Sequence, residues 1–303
     1  MNYVGRFAPS PTGPLHAGSI ATAVASYLHA RQHSGRWLLR IDDLDPPRCV
    51  PGSAEAIISL LERLELHWDG PVCYQSQRRH IHAEAAAGLL NAALAFRCDC
   101  SRRDLLRAHK ATPLGVRYDG RCRDRDVPAV DSAVRVRVDS GETAFEDRLQ
   151  GPQRIDLRRA LGDYVVFRRD DLPAYHLAAV LDDAHQGVTA VVRGCDLLAA
   201  TFVQIHLADL LGLPSVAYWH LPVLCNARGQ KLSKQHRAAS VAHMNVSAIA
   251  FGALRHLGAA PPHDLEGAAP GTLWQWAAEH WRIEDLAGQR QREVEADVAG
   301  NRA

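Results

Sequence analysis

Three groups of residues combine types and spacings that can do chemistry. In Arg6 to Gly18, RFAPSPTGPLHAG, Gly13 and Gly18 allow close approach of backbone or ligand, and His16 can donate a ring N–H to an anion. In Leu221 to Lys234, LPVLCNARGQKLSK, Lys231 and Lys234 lie in a glycine-containing loop and can place two ammonium groups on one triphosphate, stabilising charge that develops when its α-phosphate is attacked. Cys98 and Cys100 form a C-x-C pair followed by Cys122, with His109, Tyr118, Asp119 and Asp124 nearby in the chain. Paired soft ligands on a short loop suit tetrahedral zinc, while three thiols without a fourth leave free cysteines as the other reading.

Such groups need elements to hold them. Tyr3 to Phe7 predicts a short strand, and Ser19 to His33 a helix with Ile20, Val24, Tyr27 and Leu28 at helical spacing, ending at Gly35. A strand, a turn and a helix in that order put the helix N-terminus near Gly18 and Ser19. Its unpartnered N–H groups and positive dipole end suit a phosphate. Trp37 to Ile41 predicts a second strand, completing a βαβ unit. Asp42, Asp43 and Asp45 then follow a strand end, where a carboxylate can bind an amino group or ribose hydroxyl, or serve as a turn or cap residue.

Farther along, Ser53 to Leu66 reads as an amphipathic helix capped at its start, with Ile57, Leu60, Leu61 and Leu64 inward. Arg78 to Leu94 reads as a second helix, and both are taken as scaffold without reactive groups. Ala133 to Val138 and Val165 to Arg169 predict strands that bound a mixed insertion. Tyr175 to Leu181 is expected as helix, Val188 to Arg193 as a buried strand, and Leu198 to Leu211 as a helix ending at Gly212. Arg193 then stands at a strand end, either within reach of a ligand or as an ion-paired surface residue. Ala248 to Leu257 predicts a helix, and Thr272 to Trp281 a tryptophan-bearing helix that packs on the body rather than stacking bases.

The 303 residues have room for one large domain with an insertion, or for two domains. An apolar share of 47% with 23% charged residues is globular, and the absence of a long apolar span or signal-like start leads us to expect a soluble, cytoplasmic protein that avoids membranes; a monomer is expected as well. Seven cysteines, an odd number, argue against a disulfide framework. At a net charge of +1, any RNA contact must come from local patches. Arg97 to Arg125 is one, with nine Lys or Arg against four Asp, and it reads as a solvated basic loop or as a phosphate contact.

FAPSPTGPLHAG resembles the HIGH-type signature of class I aminoacyl-tRNA synthetases in its glutamyl form, and KLSK resembles their KMSK loop. RIDDLDP (Arg40 to Pro46), HWDG (His67 to Gly70), YQSQR (Tyr74 to Arg78), AYHLA (Ala174 to Ala178) and VVRGCDLL (Val191 to Leu198) follow in the order of the glutamyl group, the match spanning roughly residues 3 to 240. The resemblance implies an α/β class: a Rossmann-like parallel-sheet nucleotide-binding fold with a zinc-bearing α+β insertion. Its halves would be 1–95 and 161–240, the second carrying the KLSK loop, with the acceptor-type insertion at 96–160 and a short helical region at 241–303. It implies ATP-dependent activation of glutamate with Mg2+, with His16, Gly18, Lys231 and Lys234 on the phosphates. Arg6, Ala8, Ser10, Asp42, Tyr175 and Arg193 would bind glutamate, since a guanidinium can hold a carboxylate through two parallel hydrogen bonds. Asp42 stands where the relatives usually have Glu, one methylene longer, so a water is expected to bridge it to the α-amino group.

The run Tyr118 to Cys122 resembles the family's form in which a tyrosine completes a three-cysteine zinc site, implying Zn2+ on Cys98, Cys100, Tyr118 and Cys122. Ordinary members continue into a helical anticodon-binding domain for which no residues are expected here. The chain resembles instead truncated paralogues, which Gln235 after KLSK also suggests, that activate glutamate without tRNA and transfer it to queuosine in the anticodon of tRNA(Asp). A minimal synthetase charging the 3′ end of tRNA(Glu) or tRNA(Gln), a catalytically silent RNA- or amino-acid-binding paralogue, and a HIGH-type nucleotidylyltransferase of another pathway are the alternatives.

Overall fold

The first half of the chain builds its sheet from strands that read as nearly unbroken apolar runs, because both of their faces are covered. Of RWLLRI, all but Arg36 are buried, including Arg40. The computed structural model describes residues 2–108, 111–112, 114–139, 141–231 and 245–294. In chain order its strands are β1 (Val4–Phe7), β2 (Arg36–Ile41), β3 (Cys73–Tyr74), β4 (Ala95–Cys98), β5 (Ala111–Thr112), β6 (Gly115–Val116), β7 (Ala133–Val136), β8 (Glu142–Asp147), β9 (Gly151–Asp156), β10 (Tyr164–Phe167), β11 (Ala190–Gly194), β12 (Ala217–Leu221), β13 (Val223–Cys225) and β14 (Gln291–Glu293). Its helices are α1 (Ala17–Gln32), α2 (Ser53–Arg63), α3 (Arg79–Asn91), α4 (Arg102–Ala108), α5 (Leu157–Ala160), α6 (Tyr175–His185), α7 (Leu198–Leu210), α8 (Val246–His256) and α9 (Pro270–His280).

β1, β2 and β3 pair in parallel, Val4 opposite Arg36 and Arg40 opposite Cys73. On the other side of β1, Thr189 N–H donates to the Val4 carbonyl (2.9 Å), which brings β11 alongside, and β12 pairs in parallel with β11. The order β3-β2-β1-β11-β12 places the junction between the two halves at β1 and β11. Ligands of open α/β sheets bind at such a junction, off the carboxyl ends of the strands.

The antiparallel hairpin of β8 and β9 falls within 96–160, yet β8 joins the parallel sheet through Tyr218 opposite Asp147. Conversely, the antiparallel sheet β10-β7-β4 takes β4 and β7 from 96–160 or just before it and β10 from beyond residue 160. Its apolar faces pack on α6 and α7 through Val134, Val136, Val166, Leu177, Phe202 and Val203.

Ser53 does not cap α2. Gly52, at φ +75°, is the N-cap, and the Ser53 hydroxyl turns instead to Gly13, accepting from its N–H and donating to its carbonyl, each at 3.0 Å. Gly13 itself has φ +116°, a left-handed conformation open to glycine, so the turn before α1 is held in place from forty residues away. Two of the late tryptophans are packing residues: Trp274 Nε1–H donates to the Leu64 carbonyl (2.7 Å) and Trp281 Nε1–H to that of Leu257 (3.0 Å), both buried in the main core. Beyond them β14 pairs in parallel with β13, Val223 opposite Gln291. No described helix is long and apolar enough to cross a membrane.

Candidate active site

A cleft of about 550 Å3 opens at the carboxyl ends of β1, β2 and β11. Arg6, Ala8, Ser10, Asp42, Tyr175 and Arg193 all line it, and so do His16, Gly18 and Lys231. Lys234 lies outside the described residues.

At one end the strand-to-helix turn presents the first N–H groups of α1. His16 is the N-cap, its Nδ1 accepting from Ser19 N–H (3.3 Å) and its Nε2 within 3.1 Å of the Ser19 hydroxyl. Lys231 stands across the opening, its Nζ 2.7 Å from Asp196, with both side chains more than two-fifths exposed. A pair that open to water is weak, so the ammonium can exchange its partner for a phosphate at little cost.

The other end is built from buried charge. Arg6, Arg40 and Arg193 are 6%, 1% and 5% exposed, and a guanidinium cannot shed its proton to suit such a site. Each is therefore paired. Asp183 Oδ1 accepts from Arg40 (2.6 Å) and from Arg6 Nε (3.3 Å), while Arg40 Nε also donates to Asp42 (2.8 Å). Burial alone would push the Asp183 carboxyl up, but Arg6 and Arg40 outweigh it and hold it below the usual carboxylate value. Asp42 goes the other way: its burial outweighs Arg40 and raises it. Arg193 donates from Nε to His220 Nε2 (3.1 Å) and from Nη2 to the Thr201 hydroxyl (2.6 Å), and its guanidinium lies over the Tyr218 ring at 5.3 Å. His220 Nδ1 is 2.5 Å from Asp147 Oδ2.

The family model for the catalytic domain of class I tRNA synthetases (E and Q) matches residues 3–256. The chain belongs to that family. Among curated relatives it is 49% identical to the glutamyl-Q tRNA(Asp) synthetase of Aromatoleum aromaticum, over 96% of this chain and 93% of that one. It is 48% identical to the protein of the same name in Dechloromonas aromatica (95% and 96%) and 46% to that of Pseudomonas aeruginosa PAO1 (92% and 94%). The fold is that of a solved glutamate tRNA ligase from Elizabethkingia meningosepticum in complex with its amino acid, at a TM-score of 0.80 and 24% identity over 98% of this chain and 68% of that one.

In this class I synthetase the motifs bond to one another. Asp43 accepts from the Ser76 N–H (2.8 Å) and hydroxyl (2.6 Å), while Asp182 accepts from Gln75 (2.9 Å) and Arg78 (2.7 Å) and meets His82 Nε2 at 3.0 Å. Arg78 and His82 thus tie the start of α3 to Asp182 on α6. Sequence reasoning also passed over Arg40, Asp147, Asp182, Asp183, Thr201 and His220. The available signal was an ionisable residue inside an apolar run, which in a buried strand or helix requires a partner.

Cys98, Cys100 and Cys122 come together, their sulfurs all within 4.8 Å, with Cys100 and Cys122 3.5 Å apart. The Tyr118 hydroxyl joins them, 3.6 Å from Cys98 Sγ and accepting from Cys122 N–H at 2.9 Å. In the surrounding basic stretch Arg121, Arg123 and Arg125 are paired with Asp119, Asp163 and Asp99, whereas Arg103, Arg107 and Arg117 are exposed.

Proposed function

We propose that the chain activates L-glutamate with ATP, without tRNA for that step, and transfers the glutamyl group to queuosine in the anticodon of tRNA(Asp). The observation that carries this reading is the pairing, in one cleft, of buried guanidiniums fit for a dicarboxylate with a helix N-terminus and lysine fit for phosphates. The acceptor is inferred from the relatives, which match nearly end to end.

In the first step a glutamate carboxylate oxygen attacks the α-phosphate, forming the mixed anhydride and releasing pyrophosphate. His16, the α1 N-terminus at Gly18, Lys231 and Lys234 hold the phosphates as charge shifts onto the leaving group. The attacking carboxylate is already ionised, so no general base is required. Arg6 and Arg193, with Tyr175, hold the carboxylates, and Ser10 with the Ala8 backbone, and Asp42 through a bridging water, receive the α-amino group. Mg2+ enters with ATP, offsetting the charge of its phosphates. A queuosine hydroxyl then attacks the anhydride carbonyl, forming the ester and releasing AMP.

The cysteine cluster fits zinc. Bonds of about 2.3 Å to a tetrahedral ion set sulfurs about 3.8 Å apart, close to the 3.5 Å between Cys100 and Cys122. Cys98, Cys100, Cys122 and Tyr118 would hold the ion, which would supply a structural cross-link between the end of β4 and the loop that follows β6. Metal analysis of protein purified without chelator should return one zinc per chain, and none would remove this assignment.

The functional test is transfer of labelled glutamate to tRNA(Asp) with and without queuosine, and to tRNA(Glu) and tRNA(Gln), alongside tRNA-free ATP–pyrophosphate exchange. Label on queuosine-bearing tRNA(Asp) alone, with exchange running tRNA-free, is expected. Label on tRNA(Glu) or tRNA(Gln) would make the chain a minimal synthetase, and silence in both assays a binding paralogue.

A further inference from the structure

We infer that His220, anchored by Asp147, is a positioning residue that presents Arg193 to glutamate. The inference rests on the glutamate-activating reading above and adds to it a chain of groups that does not line the cleft. Arg193 is a donor at every nitrogen, so the ring nitrogen facing its Nε at 3.1 Å must be an acceptor. That fixes the tautomer: Nε2 is bare, and Nδ1 carries the hydrogen donated to Asp147 Oδ2 at 2.5 Å. His220 and Asp147 have fully buried side chains, so neither bond is exchanged for water.

Asp147 is fixed in turn. Its Oδ1 accepts from the N–H groups of Gln150 (2.8 Å), Leu149 (3.1 Å) and His220 (3.3 Å), which ties the carboxylate to the turn between β8 and β9 and to β12 at once. Thr201 on α7 takes Arg193 Nη2 at 2.6 Å. Three elements therefore hold the guanidinium at Nε and Nη2. Nη1 has no protein partner among the described residues and is left to a ligand in the cleft that Arg193 lines.

A guanidinium pinned along one edge keeps its other edge aimed without reordering on binding, which is where fixed geometry yields affinity. The arrangement also makes the hairpin of β8 and β9 part of the amino-acid site, though it lies far from that site in sequence.

Two substitutions separate positioning from mere support. His220→Gln can put its amide oxygen where Nε2 stands and so keep an acceptor for Arg193. His220→Asn can put its amide N–H where Nδ1 stands, keeping the tie to Asp147 and losing the acceptor. In tRNA-free exchange, His220→Asn should raise the KM for glutamate by about tenfold or more, with the KM for ATP within about twofold, and His220→Gln should stay nearer the parent. Thr201→Val, which removes the other acceptor, should raise the glutamate KM in the same direction and serves if the histidine variants do not fold. An unchanged glutamate KM in His220→Asn or, where that variant does not fold, in Thr201→Val would overturn the inference while leaving the function intact. So would a larger loss in His220→Gln than in His220→Asn, or an equal rise in both KM values. No glutamate-dependent exchange by the parent chain would instead overturn the functional reading, and this inference with it.

Discussion

At the end of the cleft proposed for the amino acid, three buried guanidiniums on β1, β2 and β11 are held by carboxylates, a hydroxyl and an imidazole drawn from the turn after β2, α6, α7, β8 and β12. At the end proposed for the phosphates, His16 and Gly18 sit on one turn and Lys231 on one loop, its ammonium paired among the described residues with an exposed carboxylate. The difference fits what each end is proposed to recognise. A triphosphate carries enough charge to be held by a helix terminus and mobile ammonium groups. Glutamate must be told from close analogues by geometry, and only groups locked by further groups supply it.

If so, the amino-acid end should be costly to break and the phosphate end cheap. Asp183→Ala leaves Arg6 without its carboxylate and strips Arg40 of one of two, so a loss of about 3–5 kcal/mol in urea unfolding is expected. An unchanged midpoint would mean the network is decorative and the two ends alike. Lys234→Ala should cut adenylate formation by about 10²-fold, or about 2.7 kcal/mol at the transition state, while unfolding moves by less than about 0.5 kcal/mol. Near-normal pyrophosphate exchange would contradict the role given to that lysine.

The smallest effect lies within the amino-acid end, between two carboxylates on Arg40. Asp183 is held below its ordinary value near 3.8, so its contribution to stability is complete above that value and is lost only as pH falls through the lower folded one. Asp42 is raised above 3.8, so it takes up its proton first, favouring the fold slightly while removing the charge proposed to face the α-amino group. The glutamate KM should therefore rise on acidification over a range in which Asp183 still contributes its full stability. Parallel titration of KM and of the difference in unfolding free energy between the parent and Asp183→Asn checks this, and coincident curves would erase the distinction.

The same contrast explains what the sequence made visible. The phosphate end is local: Gly13, His16 and Gly18 lie within one turn, and the apolar spacing of α1 announces the helix they precede. Arg6 and Arg193 were legible through their motifs. Their partners were not, because Arg6 meets Asp183 across 177 residues and His220 meets Asp147 across 73. Within AYWHLPVLC a histidine reads as one polar interruption of an apolar strand, and nothing local says what lies beside it. β8 was hidden for a related reason, since ETAFED belongs to the segment read as insertion although it extends the main sheet. Ser53 had the right residue type for a cap and the wrong partner, since the glycine turn it grips competes for the same hydroxyl.

The parallel pairing of β14 with β13 bears on how this molecule is born. Val223 to Cys225 lead into the lysine loop, yet their strand partner is Gln291 to Glu293. A ribosome adding about 5–20 residues per second needs about 3–13 s after finishing β13 to make that partner. Through that interval β13 lacks its strand partner, so a nascent chain completes the pairing that leads into Lys231 only after α8 and α9 have been synthesised.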